Sequence, residues 1–122
     1  PIMEQNKYGK IVNFSSMVVD KPNAQWAHYI TAKSALCGFS KALAFELAPK
    51  GIRINMVSPG MVDTSLISNF PPKMVELTAE SNPLKRIATP RDVANVVLFL
   101  SKEDSDYLNG VNITVNGGGI ML

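Results

Sequence analysis

The sequence has few of the residues that build covalently stapled or metal-held scaffolds. Among 122 residues there is one Cys and one His. A single Cys cannot close an internal disulfide, which excludes a disulfide-framed secreted domain. Nor can one Cys and one His fill a four-ligand zinc site, so no metal is expected. Charge of one sign is also lacking: 12 Lys and Arg stand against 10 Asp and Glu, a net charge of +2. No basic run carries interleaved aromatics, so a nucleic-acid partner is not expected. No apolar run reaches the roughly 18 residues of a membrane span, and no basic start with an apolar core and small-residue cleavage site suggests a signal peptide. A cytoplasmic protein with no membrane partner is the expectation.

What is present is ordinary globular material. Hydrophobic residues make up 46% of the chain, enough for a real core, and the length allows one domain at most. Lys10 to Phe14 is short, β-branched and bounded by turn residues, and reads as a strand. Tyr29 to Ala48 is Ala-rich, with Leu36, Phe39, Leu43 and Leu47 near helical spacing, ended by Pro49 and Gly51. Its circumference is small or apolar on more than one side, which predicts burial on more than one side. Ile52 to Val57 is a second strand, closed by Ser58-Pro59-Gly60. Residues 65–83 suggest a mobile segment with a short helix near Met74 to Glu80. Thr89-Pro90-Arg91-Asp92 combines an N-cap, a first-position Pro and a first-turn acid. Val93, Val96, Val97 and Leu100 then follow at helical spacing, Asn109-Gly110 turns the chain, and Val111 to Val115 is a third strand. Strands alternating with helices predict right-handed crossovers and a doubly wound, parallel α/β sheet.

In such sheets ligands sit beyond the carboxyl ends of the strands. Ser15-Ser16 follows the first strand there, Pro59-Gly60 through Thr64 follows the second, and Tyr29 and Lys33 open the long helix on the same edge. Tyr29 and Lys33 are four residues apart, hence on one helical face. An ammonium beside a phenol favours the phenolate, so the Tyr can give or take a proton at an alcohol or carbonyl oxygen. Ser16 can donate a second hydrogen bond to the same oxygen. Alone, a Tyr and Lys at this spacing are most often an ordinary surface pair.

The ordered set of segments says more. Gly9-Lys-Ile-Val-Asn-Phe-Ser-Ser16, Tyr29-Ile-Thr-Ala-Lys33, Phe45 through Asn55, Val57-Ser-Pro-Gly60 with Thr64, Arg86, Thr89 through Val93, Leu108-Asn-Gly-Val and Val115-Asn-Gly-Gly118 run in order along nearly the whole chain. Together they resemble the short-chain dehydrogenase/reductases, and most nearly the 3-oxoacyl-acyl-carrier-protein reductases among them. The resemblance implies hydride transfer between the nicotinamide of NADP or NAD and a carbonyl or alcohol carbon, with NADP slightly favoured. It implies that Tyr29 is the acid/base, that Lys33 assists it and binds the nicotinamide ribose, and that Ser16 holds the substrate oxygen. Pro59 and Gly60 would shape the turn under the nicotinamide, and Val62 and Thr64 would hold its carboxamide.

The implied partners are a small carbonyl substrate, acyl-carrier-protein-linked in that subfamily, and further copies of the chain in a dimer or tetramer. Polyol, sugar or steroid-type alcohol dehydrogenases share the pattern. A non-catalytic oligomerisation or binding module of the same fold is the alternative from another class.

Against the doubly wound pattern, 122 residues amount to about half a domain. The expectation is the C-terminal part of a single domain, residues 1–122, with the N-terminal dinucleotide-binding half outside the sequence. Neither the Gly-rich phosphate turn nor the catalytic Asn expected from the resemblance falls within it. Gly117-Gly118-Gly119 follows a strand but has no helix after it, so it reads as a flexible terminal loop rather than a phosphate cradle. Cys37 reads as a small buried hydrophobe and His28 as a loop residue without a role. Met61, Leu66, Ile67, Phe70 and Met74, with Trp26, make either an apolar lid over the substrate or part of the core. Lys73, Lys85 and Arg86 are candidates for an acidic carrier, or simply solvated.

Overall fold

The computed structural model describes residues 1–121. A short helix α1 (Ile2–Gln5) leads into strand β1 (Gly9–Phe14). Helix α2 (Ala27–Leu47) crosses to strand β2 (Ile52–Pro59). Helices α3 (Pro72–Ser81) and α4 (Pro90–Leu100) precede strand β3 (Asn112–Val115). The three strands are parallel, in the order β1-β2-β3, with Gly9 beside Ile52 and Met56 beside Asn112 in the register. The expected α/β architecture is observed, and all three strands end on one edge.

Alternation along the strands sorts side chains onto two faces. Ile11, Ile52 and Ile54 pack against Leu43, Ala44 and Leu47 of α2. Val12, Val57, Ile113 and Val115 pack against Val93, Val96, Val97 and Leu100 of α4. The sheet therefore has a helix on each face, the layering of a doubly wound fold. Each fully buried Ile, Val or Leu contributes about 1.5–3 kcal/mol of transfer free energy, and Ile54, Val57 and Leu100 are of this kind.

The expected element boundaries shift for local reasons. β2 runs two residues past Val57 because β3 pairs with it as far as Pro59, opposite Val115. α3 begins at Pro72, a residue preset for the first helical turn. Thr89 caps α4 as expected, in a reciprocal capping box with Asp92. Asn109 does more than turn the chain. Its Oδ1 accepts from the Ile54 N–H at 3.0 Å and its Nδ2 donates to the Ala44 carbonyl at 2.8 Å, tying α2 to the sheet.

The double-sided helix is covered on one side only among the described residues. Ser40 and Ala44 are buried against the sheet, while Phe45 is 88% exposed. Cys37 is half-buried rather than buried, with its Sγ 3.1 Å from Ser15 Oγ. Gly117-Gly118-Gly119 is not a loose tail: the Gly118 and Gly119 N–H groups both donate to Asn116, each at 3.0 Å.

Candidate active site

β1 delivers two serines to the carboxyl edge of the sheet, and they differ. Ser15 continues the ladder, its N–H donating to the Val57 carbonyl at 2.8 Å, and its hydroxyl lies against Lys33 O and Cys37 Sγ of α2. Ser16 begins the 3-10 turn Met17–Val19, and its Oγ accepts a long 3.5 Å bond from the Val18 N–H. The Ser16 hydroxyl proton has no acceptor among the described residues, so it is free to be donated.

α2 opens on the same edge. Tyr29 lies in its first turn, half-buried, with its ring edge-on to Trp26 at a centroid distance of 5.6 Å. Trp26 also meets Phe70, at 6.2 Å. Lys33, one turn further along, donates from Nζ to the Phe14 carbonyl at 2.8 Å and lies 5.8 Å from the centre of the Tyr29 ring. The last carbonyl of β1 thus holds the ammonium close to the phenol. The Tyr29 hydroxyl makes no hydrogen bond among the described residues.

Beyond β2 the chain passes Gly60 and is caught again by Ala88. The Gly60 N–H donates to Val115 O at 3.0 Å. A Cβ at Gly60 would stand 3.2 Å from Met17 Sδ and 3.3 Å from Asn116 Cα, so the turn is squeezed between the segment after Ser16 and the loop after β3. That close approach is what the glycine permits. Val62 and Ala88 form a parallel bridge, in which Ala88 N–H donates to Met61 O at 3.0 Å and Asp63 N–H donates to Ala88 O at 2.8 Å. In a parallel bridge this pattern turns the N–H of Val62 itself away from Ala88, and that N–H has no acceptor among the described residues. Thr64 is exposed beside it, its hydroxyl 3.5 Å from the Val62 carbonyl.

The anchor for this stretch is an ion pair. Arg86 makes two bonds to Asp92, at 2.7 and 3.2 Å, and Asp92 also accepts from the N–H and hydroxyl of Thr89. The guanidinium, then the Thr89 bonds, hold the Asp92 carboxyl far below the usual carboxylate range. Arg86 is therefore engaged within the chain. Lys73 and Lys85 are also paired, with Glu76 and with the Glu80 carbonyl.

The lid residues divide. Phe70 is half-buried on Trp26 and Ile67 is half-buried, while Leu66 is 74% exposed. His28 is exposed and lies in the first turn of α2 rather than in a loop. No group of three or more His, Cys, Asp or Glu that could hold a metal occurs among the described residues. No helix among them is long and apolar enough to cross a membrane. Asn82 and Asn116, which tie α3 to this edge, were not among the expected site residues. The only sequence signal of Asn82 was polarity at the end of an element, while Asn116 stood in the Val115-Asn-Gly-Gly118 segment with no role assigned to it.

A parallel sheet whose carboxyl edge gathers Ser, Tyr and Lys in this way defines a class, and comparison with known proteins identifies it. Residues 1–119 match the family described as enoyl-(acyl carrier protein) reductase. The chain belongs to this family, within the short-chain dehydrogenase/reductases. It is 40% identical over 119 residues to the 3-oxoacyl-acyl-carrier-protein reductase FabG of Buchnera aphidicola, covering 98% of this chain and 49% of that protein. It is 41% identical over 116 residues to the FabG of Aquifex aeolicus, covering 95% and 47%. A crystal structure of a 3-oxoacyl-acyl-carrier-protein reductase from Brucella melitensis superposes with a TM-score of 0.89 at 35% identity, covering 100% of this chain and 46% of that one. A second Brucella melitensis structure, described as a short-chain dehydrogenase/reductase of the glucose/ribitol dehydrogenase type, gives a TM-score of 0.88 at 34% identity, covering 95% and 46%. The chain spans about half the length of the curated relatives it matches.

Proposed function

We propose that these residues form the proton-transfer half of a cytoplasmic, nicotinamide-dependent carbonyl reductase. In this reading the chain is the C-terminal part of one domain. The observation that supports it most directly is the pair of uncommitted hydroxyls, on Ser16 and Tyr29, with the Lys33 ammonium held beside the phenol by the Phe14 carbonyl. A carbonyl oxygen placed between the hydroxyls receives a hydrogen bond from Ser16 and a proton from Tyr29. The Lys33 charge then stabilises the phenolate left behind.

The residues present suit a nicotinamide nucleotide. The free Val62 N–H and the exposed Thr64 hydroxyl offer a carboxamide its acceptor and donor needs, beside the Pro59–Gly60 turn. Lys33 offers a cation to ribose hydroxyls. The bound nucleotide supplies the hydride that reaches the carbonyl carbon. The names of the relatives favour a 3-oxoacyl group on acyl carrier protein as substrate, and the resemblance to that subfamily slightly favours NADPH as donor. The family description names enoyl reduction instead. A Ser and a Tyr hydroxyl offered to one oxygen suit reduction of C=O, whose oxygen ends protonated, more directly than reduction of C=C.

The test uses the protein at its natural length. NADPH oxidation is followed with a 3-oxoacyl thioester and with a trans-2-enoyl thioester, in the wild type and in Tyr29→Phe. Reduction of the 3-oxo substrate is expected, falling by about 10²–10⁴-fold in Tyr29→Phe. An undiminished rate in that variant overturns the assignment, and turnover of the enoyl substrate alone moves it to enoyl reduction. The 122-residue chain by itself is expected neither to bind the nucleotide tightly nor to turn over, as a thermal-shift titration would reveal.

The exposed face of α2 suits contact with a second copy of the protein. The aromatic side chains Phe39 and Phe45 stand on it, both exposed among the described residues.

A further inference from the structure

α3 is secured chiefly at its ends. None of its residues is buried. In front of it, Phe70 lies on Trp26. Behind it, Asn82 closes the helix, and both ends of its side-chain amide are used. Nδ2 donates to the Asn116 carbonyl at 2.8 Å, and Oδ1 accepts from the Leu84 N–H at 2.9 Å. A carbonyl on one side and an N–H on the other settle which way round the amide sits.

The loop after β3 is shaped to receive that amide. Asn116 is buried, and its side chain donates to Ile120 O and accepts from the Gly118 N–H, each at 3.0 Å. Gly117 has φ +62°, and a Cβ there would lie 2.6 Å from Asn82 Oδ1. Any side chain at position 117 would push the amide out. On its other side Asn116 abuts the Pro59–Gly60 turn, 3.3 Å from where a Gly60 Cβ would be. Asn82, Asn116 and Gly60 are thus in sequential contact, from the end of α3 to the turn beside Val62.

We propose that Asn82 is a positioning residue that sets nicotinamide affinity by holding the Asn116 loop against the Pro59–Gly60 turn. The inference rests on the nicotinamide-dependent reading above and adds a residue to it that no motif contains. Asn82 acts through Asn116 and takes no part in proton transfer. Its removal therefore loosens the turn and the rear of α3 while leaving Ser16, Tyr29 and Lys33 in place. The Asn116 carbonyl retains its bond from the Gly119 N–H at 3.0 Å, so the loop has a reason to stay folded.

The experiment compares Asn82→Ala, Asn82→Asp, Gly117→Ala and the double variant Asn82→Ala/Gly117→Ala with the wild type, all at natural length. Nucleotide affinity is measured by titration with NADPH and NADH, kcat and KM by turnover, and local stability by amide hydrogen exchange over residues 60–88 and 111–121. Losing one neutral hydrogen bond corresponds to about 3–10-fold in a binding constant, and a weakening of that size is expected in Asn82→Ala. The change in kcat is expected to stay under about twofold, with faster exchange around Leu84 and Gly119. Asn82→Asp keeps the acceptor for Leu84 and loses the donor, so it should weaken binding at least as much if Asn82→Ala does not fold. Gly117→Ala should weaken binding more in the wild-type background than in the Asn82→Ala background, where the clash is gone. Unchanged nucleotide affinity alongside faster exchange would reduce Asn82 to a structural clasp and overturn the proposal. If the wild type binds neither nucleotide, the reductase reading fails first and this proposal with it.

Discussion

The Lys33 ammonium donates to the last carbonyl of β1, that of Phe14, at 2.8 Å. That bond crosses from helix to strand and stations the charge 5.8 Å from the centre of the Tyr29 ring. Helical spacing puts the two side chains on one face, but the Phe14 carbonyl fixes where the flexible Lys stem ends. Substituting Lys33 by Met keeps the stem and removes the charge. Carbonyl reduction is expected to fall by about 10²-fold or more, the scale of losing one electrostatic donor at a reacting oxygen. Far-UV circular dichroism should be unchanged. A wild-type rate would remove Lys33 from the mechanism.

Trp26 is the sole tryptophan of the chain, so its emission reports one place. It stands between Tyr29 and Phe70, at centroid distances of 5.6 and 6.2 Å. Phe70→Ala opens that side to water and is expected to shift the emission to the red, with about 0.5–1.5 kcal/mol lost from the aromatic pair. Fluorescence and thermal unfolding measure the two effects. An unmoved spectrum would mean that Phe70 does not rest on Trp26 in solution.

The Arg86–Asp92–Thr89 cluster predicts a pH dependence. Arg86 and Thr89 lower the Asp92 pKa in the folded state, so this carboxylate binds its proton less readily folded than unfolded. Its contribution is therefore fully present above the unfolded Asp value of about 4 and lost as pH falls below it. The melting temperature of Asp92→Asn should lie below wild type at pH 7, and the gap should narrow as pH falls from 5 toward 2. A gap of constant size would show that the charge is not what matters. Thr89→Ala, which removes the cap, should cost about 0.5–2 kcal/mol.

Phe45, 88% exposed on the outer face of α2, should report assembly. Phe45→Asp is expected to lower the mass in solution, measured by light scattering at natural length. An exposed position away from the core changes the stability of a protomer by no more than about 0.5 kcal/mol. An unchanged mass would place any contact between copies elsewhere.

The legible parts of this protein were those decided by neighbours in the chain. Lys10 to Phe14 and Ile52 to Val57 announced strands because β-branched runs ended in turn residues. Thr89-Pro90-Arg91-Asp92 announced its helix because a cap and its partner are three residues apart. Helical periodicity aligned Tyr29 and Lys33 on one face, and the ordered segments around them, rather than that spacing alone, marked them as a candidate site. The exposure of Phe45, the different duties of Ser15 and Ser16, and the clasp of Asn82 on Asn116 were not legible. Each depends on residues far away in sequence, and the partners of Asn82 lie up to 34 positions on.

The sequence by itself determined the alternation of strand and helix and the residue types that reach the carboxyl edge. These follow from side-chain periodicity and local hydrogen bonding, which act over a few residues. Only the tertiary structure decided which hydroxyl stays free, which carbonyl holds the Lys33 ammonium and which amide braces the turn at Gly60. Those outcomes depend on packing distances of about 3 Å between segments that meet only when the sheet has closed, and no local pattern encodes them.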